Sequence, residues 1–335
     1  MRAPIFSTFT PARASRLRRF LGASLAFAPA RASRLRRFLG ASLFFFLALT
    51  TTPAIAGPWT PGRLHFYGQV RQSVLLADRR YDAAGDLRPI LLAVDAAGAT
   101  AETSYRQTLT DVYFELGLAS RLSVLADFRA FTYVAQPAAG HPTRSALGIS
   151  DLWLATKLLL FDDELTASLL VGASVPLGDA AAAVPLGQGD VSGDIQVLVG
   201  KLLPRRVYVA AEAGVRLRSH ARVTDPRTPG ATIEQQYSHE LRFAAVAGTS
   251  FPLARRFADA IGVAAKLEGA YALTAPVEDS YGVLTPAAGT YLKLGAEFIW
   301  TPVRGVAITL GGHGFALGRA LPAFGEIALA IGWSR

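Results

Sequence analysis

The sequence predicts an all-β protein whose main part is a transmembrane up-and-down antiparallel β-barrel of about twelve strands. Large apolar side chains alternate with small or polar ones along most of the chain after residue 56, which is the period of a β-strand. No uncharged run in this part exceeds about 14 residues, whereas a helix needs roughly 20 to span a bilayer. Short and long connections alternate between the predicted strands, as they do at the two rims of such barrels.

The first 56 residues predict a signal peptide that is cleaved on export. They contain nine arginines and no acidic residue, followed by an apolar run over Phe38–Leu49 and by Ala54-Ile55-Ala56, which is typical of a cleavage site. The mature chain is therefore expected to be a single barrel domain over 57–335. The string PARASRLRRFLGASL occurs at 11–25 and again at 29–43, a duplication that only lengthens the basic region.

Charge and cysteine content exclude several functions. The chain has 34 basic and 25 acidic residues; the signal peptide holds nine of the basic ones, so the mature part carries 25 of each. Such a chain has no basic excess for binding nucleic acid, and we expect no nucleic-acid partner. Because the sequence has no cysteine, it can form no disulfide, thiolate metal site or lipoprotein anchor.

The predicted strands follow one another in up-and-down order. The first covers about 63–76, and a polar stretch over 77–102 follows, with room for a short hairpin near 89–94. Five hairpins come next, each with two alternating runs around a short turn, and a final strand over 324–333 makes twelve. The hairpin turns are predicted at 119–121, 161–164, 203–206, 252–258 and 302–305.

The longer connections between hairpins belong to the opposite rim. They cover about 136–147, 178–189, 221–236 and 274–287. In outer-membrane barrels the short turns face the periplasm and the long loops face outward. The pattern therefore predicts a barrel in the outer membrane of a Gram-negative bacterium, surrounded by lipid, with both termini in the periplasm.

The last strand has the clearest pattern. Ile327, Leu329, Ile331 and Trp333 alternate with small or charged residues, and Trp333 lies two residues before the C-terminus. This strand resembles the terminal strand of outer-membrane barrels, which usually ends in an aromatic residue and is recognised during assembly. The resemblance implies the barrel-assembly machinery as a partner. Trp300 has the same outward parity near the same rim, where aromatic girdles occur.

Charged residues of both signs collect on the other face of the strands, which would line the lumen. Roughly eight strands enclose an interior filled by side chains and roughly 16 enclose an open channel, so twelve lie between. The charges either form a path for a small solute or pair with one another to satisfy buried charge, and the sequence leaves both interpretations open. The predicted lumen charges are Arg71, Glu115, Arg129, Asp151, Lys157, Glu212, Arg216, Glu240, Arg242, Lys266, Glu268, Lys293 and Glu297.

The sequence contains no pattern typical of an enzyme. None of the five histidines is followed by a serine two residues later, the spacing that barrel phospholipases use on one strand face. Ser238 and His239 are adjacent, hence on opposite faces, and Asp162-Asp163 falls in a short turn. No cluster of His, Asp and Glu has metal-ligand spacing. We therefore expect no catalytic residue, cofactor or metal.

A resemblance to a known family covers residues 148–190. Gly148-Ile149-Ser150-Asp151 opens a strand, Val175-Pro176-Leu177-Gly178 ends the next, and Gly187-Gln188-Gly189-Asp190 precedes the third. This succession resembles that of the outer-membrane transporters named for the meta-pathway of phenol degradation, although Ser150, Val175 and Leu177 depart from the family's residues. The resemblance implies a transport barrel, with hydrophobic or aromatic compounds as candidate solutes, and it implies no ligand residue.

Three functions remain open from the sequence. The first is an outer-membrane channel or transporter for small solutes. The second is an outer-membrane barrel without transport, structural or displaying its long loops at the cell surface. The third is a soluble exported β-barrel that binds an apolar ligand. A fold alone does not choose among them.

Overall fold

The computed structural model describes residues 57–335 apart from 94–99, 138–139, 141–142, 183, 185, 225–231, 253–259 and 274–288. The predicted signal peptide lies outside the described residues, so the boundary at residue 56 stays a prediction. The predicted turn at 252–258 and the connection at 274–287 also fall almost wholly outside them. No helix among the described residues is long and apolar enough to cross a membrane.

Twelve antiparallel strands form a closed barrel, as predicted. Each strand pairs with the barrel strands before and after it, and the first also pairs with the last, where Val74 lies opposite Ile327. Closure leaves no free sheet edge, so the backbone groups are satisfied within the barrel, as a bilayer requires. The strands are β1 Phe66–Ala77, β2 Tyr105–Ala119, β3 Leu122–Gln136, β4 Asp151–Asp162, β5 Thr166–Pro176, β6 Ser192–Leu203, β7 Val207–Arg218, β8 Glu240–Pro252, β9 Ala260–Ala272, β10 Thr290–Val303, β11 Val306–Arg319 and β12 Gly325–Ser334.

The period-two alternation separates an apolar outer face from a more polar inner face. In β6, Ile195 and Val197 are about half exposed, at 53% and 48%, whereas Asp194, directly before Ile195, is buried. In β12, Ile327 is exposed and Ala328 is buried. Large apolar side chains that are exposed on the outside of a closed barrel are the surface that lipid covers.

A bulge in β3 shifts this alternation partway along the strand. Thr110 lies opposite Phe131 and Asp111 lies opposite Arg129, so Ala130 is an extra residue. Beyond it Phe131 is exposed and Thr132 is fully buried. The inner face of β3 is therefore odd-numbered before the bulge and even-numbered after it, which simple alternation does not predict.

The two rims differ as the connection lengths predict. Short turns join β2 to β3, β4 to β5, β6 to β7 and β10 to β11 at one end, which we call the short-turn rim. The polar stretch over 77–102 carries three short strands at the other end. A hairpin was expected near 89–94, but Leu87–Ala93 is a single strand that pairs with one extra strand on each side. The extra strands of this long-loop rim are Arg79–Tyr81, Leu87–Ala93, Thr100–Thr103, Arg144–Gly148, His220–Thr224, Thr232–Gln236 and Leu321–Pro322.

Candidate functional site: the barrel lumen

The segment Gly57-Pro58-Trp59 is held against the inner wall of the barrel. Lys157 on β4 donates hydrogen bonds to the carbonyl oxygens of Gly57 and Trp59, each at 2.8 Å. The hydroxyl of Ser168 on β5 donates to the carbonyl of Pro58. The segment therefore occupies part of the lumen, anchored through its backbone oxygens.

Lys157 and Glu115, two of the predicted lumen charges, form a buried ion pair at 2.8 Å. Their side chains are 1% and 2% exposed. Ser123 and Tyr113 each donate a hydroxyl hydrogen bond to the Glu115 carboxylate, at 2.7 and 3.1 Å. The three ammonium hydrogens of Lys157 have three acceptors, the carboxylate and the two carbonyls, so the pair is satisfied despite its burial.

Most of the other predicted lumen charges meet an opposite charge on a nearby strand. The guanidinium of Arg216 donates two hydrogen bonds to the carboxylate of Asp194, both at 2.9 Å. Such a bidentate arrangement is the strongest form of an arginine–carboxylate ion pair. Further pairs are Arg71 with Glu326, Lys266 with Glu297 at 2.7 Å, Lys293 with Glu268 at 3.6 Å, Arg129 with Asp111 at 3.7 Å and with Asp151 at 3.6 Å, and Arg242 with Asp194 at 3.8 Å.

A cavity of about 360 Å³ lies in the lumen beside these pairs. Its wall includes Lys266, Lys293 and Glu212, together with the apolar side chains of Leu198 and Ile299. Among the described residues, Glu212 has no hydrogen bond and no ion pair, although Glu268 and Glu297 on the same wall each have a lysine partner. The cavity thus combines paired charges, one unpaired carboxylate and an apolar surface.

Arg218 contacts two long connections at the long-loop rim, the one between β5 and β6 and the one between β7 and β8. Its guanidinium makes two hydrogen bonds to Asp190, both at 2.8 Å, and a third to Glu240 at 3.1 Å. It also lies 4.0 Å from the ring centre of Tyr237, whose hydroxyl donates to the backbone of Gln188 at 2.8 Å. Burial raises the pKa of Tyr237 to about 12, so this hydroxyl keeps its proton. Sequence parity identified Glu240 as a lumen charge but gave no sign of this cluster.

The three segments that carried the family resemblance meet in space. The backbone N–H groups of Leu177 and Gly178 both donate to the carbonyl of Ser150, at 2.9 and 2.7 Å. A side chain at Gly178 would lie 1.8 Å from the carbonyl oxygen of Leu186, so only glycine fits there. Asp190, the last residue of the third segment, is the bidentate partner of Arg218. The segments therefore fold the connection after β5 onto the start of β4.

The described residues contain no group of three His, Asp or Glu side chains that could hold a metal ion. The Nδ1 atom of His239 accepts a hydrogen bond from the backbone N–H of Arg218 at 3.1 Å, and the hydroxyl of Ser238 donates to the carbonyl of His239. What the lumen offers chemically is a set of fixed charges around a space large enough for a small molecule or several waters.

Comparison with known proteins identifies the fold. No protein-family model and no curated protein matches the chain. Among solved structures, an outer-membrane channel from Pseudomonas putida F1 is similar with 12% identity and a TM-score of 0.60, covering 84% of this chain and all of that one. The beta domain of the Bordetella autotransporter BrkA has 12% identity and a TM-score of 0.44, covering 80% of this chain and 99% of that one. The CymD monoaromatic hydrocarbon channel has 9% identity and a TM-score of 0.40, covering 82% and 88%.

The first of these similarities shows that the chain has the fold of an outer-membrane β-barrel. The other two are too distant to add to it. The transport-type barrel expected from the resemblance at residues 148–190 agrees with this result at the level of the fold.

Proposed function

We propose that this protein is an outer-membrane channel for small solutes. The observation that carries the proposal is the cavity of about 360 Å³ inside a closed barrel, with charges of both signs on its wall. Ion pairs that only satisfied buried charge would need no open space beside them. The Pseudomonas putida protein with the same fold is itself described as an outer-membrane channel, which supports the proposal.

The path is narrow because part of the lumen is occupied. Gly57 and Pro58 border the cavity, and Lys157 and Ser168 hold the segment there. A solute that passes this point must be small or must displace the segment. We therefore expect a low conductance with discrete steps rather than the large conductance of a general porin.

Small hydrophobic or aromatic compounds are the solute class that we favour. Leu198, Tyr208 and Ile299 contribute apolar surface to the cavity wall, next to the charged groups. A wall of this kind can accept an apolar body together with one polar group. The assignment also rests on the family resemblance of residues 148–190.

The same proposal includes the location and the partners of the barrel. Lipid of the outer membrane covers the exposed apolar face, the short-turn rim with both termini faces the periplasm, and β12 is recognised by the barrel-assembly machinery. The exposed side chains of Ile327 and Leu329 and the terminal position of Trp333 support this view. The proposal assigns no chemical reaction to the protein.

Recording from the purified protein in a planar bilayer tests the proposal. Stepwise conductance is expected, and its block by small aromatic solutes would support the solute class. A folded protein that gives no steps would instead support a structural or surface-display barrel. Recovery of the protein in the soluble periplasmic fraction would favour the third function, a soluble barrel that binds an apolar ligand.

A further inference from the structure

Six exposed arginines lie at the short-turn rim, and we call them the arginine collar. They are Arg63, Arg121, Arg205, Arg206, Arg304 and Arg335. None of their guanidinium groups forms a hydrogen bond or an ion pair with a described residue. The described acidic residues of this rim are confined to the turn at 162–164, where Asp162 accepts a hydrogen bond from Thr166 and Glu164 lies 3.5 Å from Lys201. The collar is therefore a basic surface whose guanidinium groups pair with no carboxylate of the described residues.

Four members of the collar follow one another around the barrel. The backbone N–H of Ser334 donates to Gly305 beside Arg304, and Arg335 exchanges two hydrogen bonds of 3.0 Å with Phe66. The N–H of Leu64, beside Arg63, donates to Gly117 of β2 at 2.8 Å. With about 4.8 Å between neighbouring strands, the arc from Arg304 to Arg121 extends over roughly 20 Å.

The collar lies directly beyond the apolar outer face. Trp300 near the end of β10 is 39% exposed, and Trp333 lies at the end of β12. Leu202 and Leu203, next to the turn that carries Arg205, are exposed as well. Tryptophan at this level is typical of the interface between hydrocarbon and headgroups. Arg335, two residues beyond Trp333, and Arg304, in the turn that follows Trp300, would therefore stand at the depth of lipid phosphates.

The turn between β6 and β7 provides an independent observation. Arg205 and Arg206 have φ angles of 63° and 61°, so both lie in the left-handed region. The turn has three residues, Pro204-Arg205-Arg206, and positive φ angles favour glycine or asparagine, so other side chains are strained at Arg205 and Arg206. Two arginines at positions that favour glycine or asparagine indicate that their side chains serve a purpose other than forming the turn.

We propose that the arginine collar binds the phosphate headgroups of anionic phospholipids in the leaflet that contacts the short-turn rim. Guanidinium groups match phosphate with paired hydrogen bonds and keep their charge under all physiological conditions. Each basic side chain near an anionic membrane surface also adds to the electrostatic attraction between the protein and anionic lipid. The inference goes beyond solute passage, and it needs only that the barrel lies in a bilayer.

Tryptophan quenching by brominated lipids tests the proposal. The mature barrel is inserted into vesicles of phosphatidylcholine mixed with phosphatidylglycerol, with bromine on one lipid or the other. Trp300 and Trp333 report on the rim. Trp153, which hydrogen bonds to Asp194, and Trp59, which lies beside Gly200 and Lys157, are in the lumen and add a constant background. We expect brominated phosphatidylglycerol to quench several times more strongly than brominated phosphatidylcholine at equal content.

Two variants remove the charges in different ways. A triple variant with Arg63→Gln, Arg121→Gln and Arg304→Gln should reduce the ratio of quenching by brominated phosphatidylglycerol to quenching by brominated phosphatidylcholine to nearly one. The double variant Arg205→Asn with Arg206→Gly should lower the preference while raising the unfolding midpoint in phosphatidylcholine, because it relieves the turn. Arg88→Gln is the matched control at the long-loop rim, where Arg88 pairs with Asp82 at 3.1 Å, and it should leave the preference unchanged.

Several outcomes would overturn the proposal. Equal quenching by the two lipids in the unmodified barrel would reject anionic lipid and favour an acidic protein surface as the partner. If both collar variants keep the preference for phosphatidylglycerol, residues outside the collar cause that preference. Loss of the preference in inorganic phosphate, but not in chloride of equal ionic strength, would identify free phosphate as the ligand instead. Conductance recorded in parallel keeps each of these results separate from the proposed channel function.

Discussion

The ammonium of Lys157 lies 2.8 Å from the carboxylate of Glu115 while it donates hydrogen bonds to the carbonyls of Gly57 and Trp59. One buried side chain thus joins the barrel wall to the segment inside the lumen. Breaking this contact should affect stability and conductance together, because the pair is buried and the segment narrows the path.

Lys157→Met should destabilise the barrel by about 3–5 kcal/mol, since it leaves Glu115 buried without a counter-charge. It should also raise the single-channel conductance by releasing Gly57-Pro58-Trp59. Urea unfolding and planar-bilayer recording measure the two effects. Lys201→Met is the matched control, because its pair with Glu164 is exposed and worth at most about 1 kcal/mol. An unchanged conductance in a folded Lys157→Met barrel would show that the segment does not limit passage.

Glu212→Gln should shift the ion preference of the channel away from cations without loss of stability. Glu212 lines the cavity and forms no direct ion pair with a described residue, so its neutralisation breaks no contact of this kind. Glu297→Gln makes the same change in charge but removes the acceptor that lies 2.7 Å from Lys266, so it should destabilise the barrel as well. Reversal potentials in a salt gradient and urea unfolding separate the two variants. Equal loss of stability in both would contradict the unpaired state of Glu212.

Adjacent residues on β10 should respond in opposite ways to substitution. Leu294 is 51% exposed on the outer face, whereas Lys293 lies 3.6 Å from Glu268 on the cavity wall. Leu294→Arg places a charge in lipid at a cost of about 2–4 kcal/mol and should reduce the heat-modifiable folded band on a gel. Lys293→Ala should fold and change ion selectivity. Equal tolerance of both would mean that no bilayer covers this face.

The mature protein should begin at Gly57. Cleavage after Ala56 is predicted from the basic segment, the apolar run and the Ala-Ile-Ala sequence. The intact mass of protein extracted from outer membranes should therefore lack residues 1–56. A mass that retains the duplicated arginine segment would remove the argument for export and would return the basic excess to the mature chain.

Epitope tags should distinguish the two rims on intact cells. A tag near Gly85, between the extra strands Arg79–Tyr81 and Leu87–Ala93, should be accessible from outside. A tag near Gly230, within the connection at 221–236 and outside the described residues, should behave in the same way. A tag at 203–206 should be labelled only after permeabilisation. Labelling in the reverse order would invert the proposed orientation.

The sequence alone predicted the closed barrel, the strand count and the face on which most side chains lie. These features depend on a local property: successive side chains of a strand point to opposite sides, so Asp194 and Ile195 differ in environment whatever the rest of the chain does. The turns between paired strands follow from the same pattern, because they interrupt it. The bulge at Ala130 escaped prediction, since one extra residue leaves little trace in a short alternating run.

Only the tertiary structure decided which charges meet and what enters the lumen. The partner of Lys266 depends on the register of β9 against β10, and Arg218 reaches Asp190 and Tyr237 because two distant connections fold over the same rim. The position of Gly57-Pro58-Trp59 rests on hydrogen bonds to backbone carbonyls, which every residue carries and no sequence pattern distinguishes. Alternation is local and can be seen in the order of residues, whereas these contacts exist only in the folded barrel, where distant segments meet.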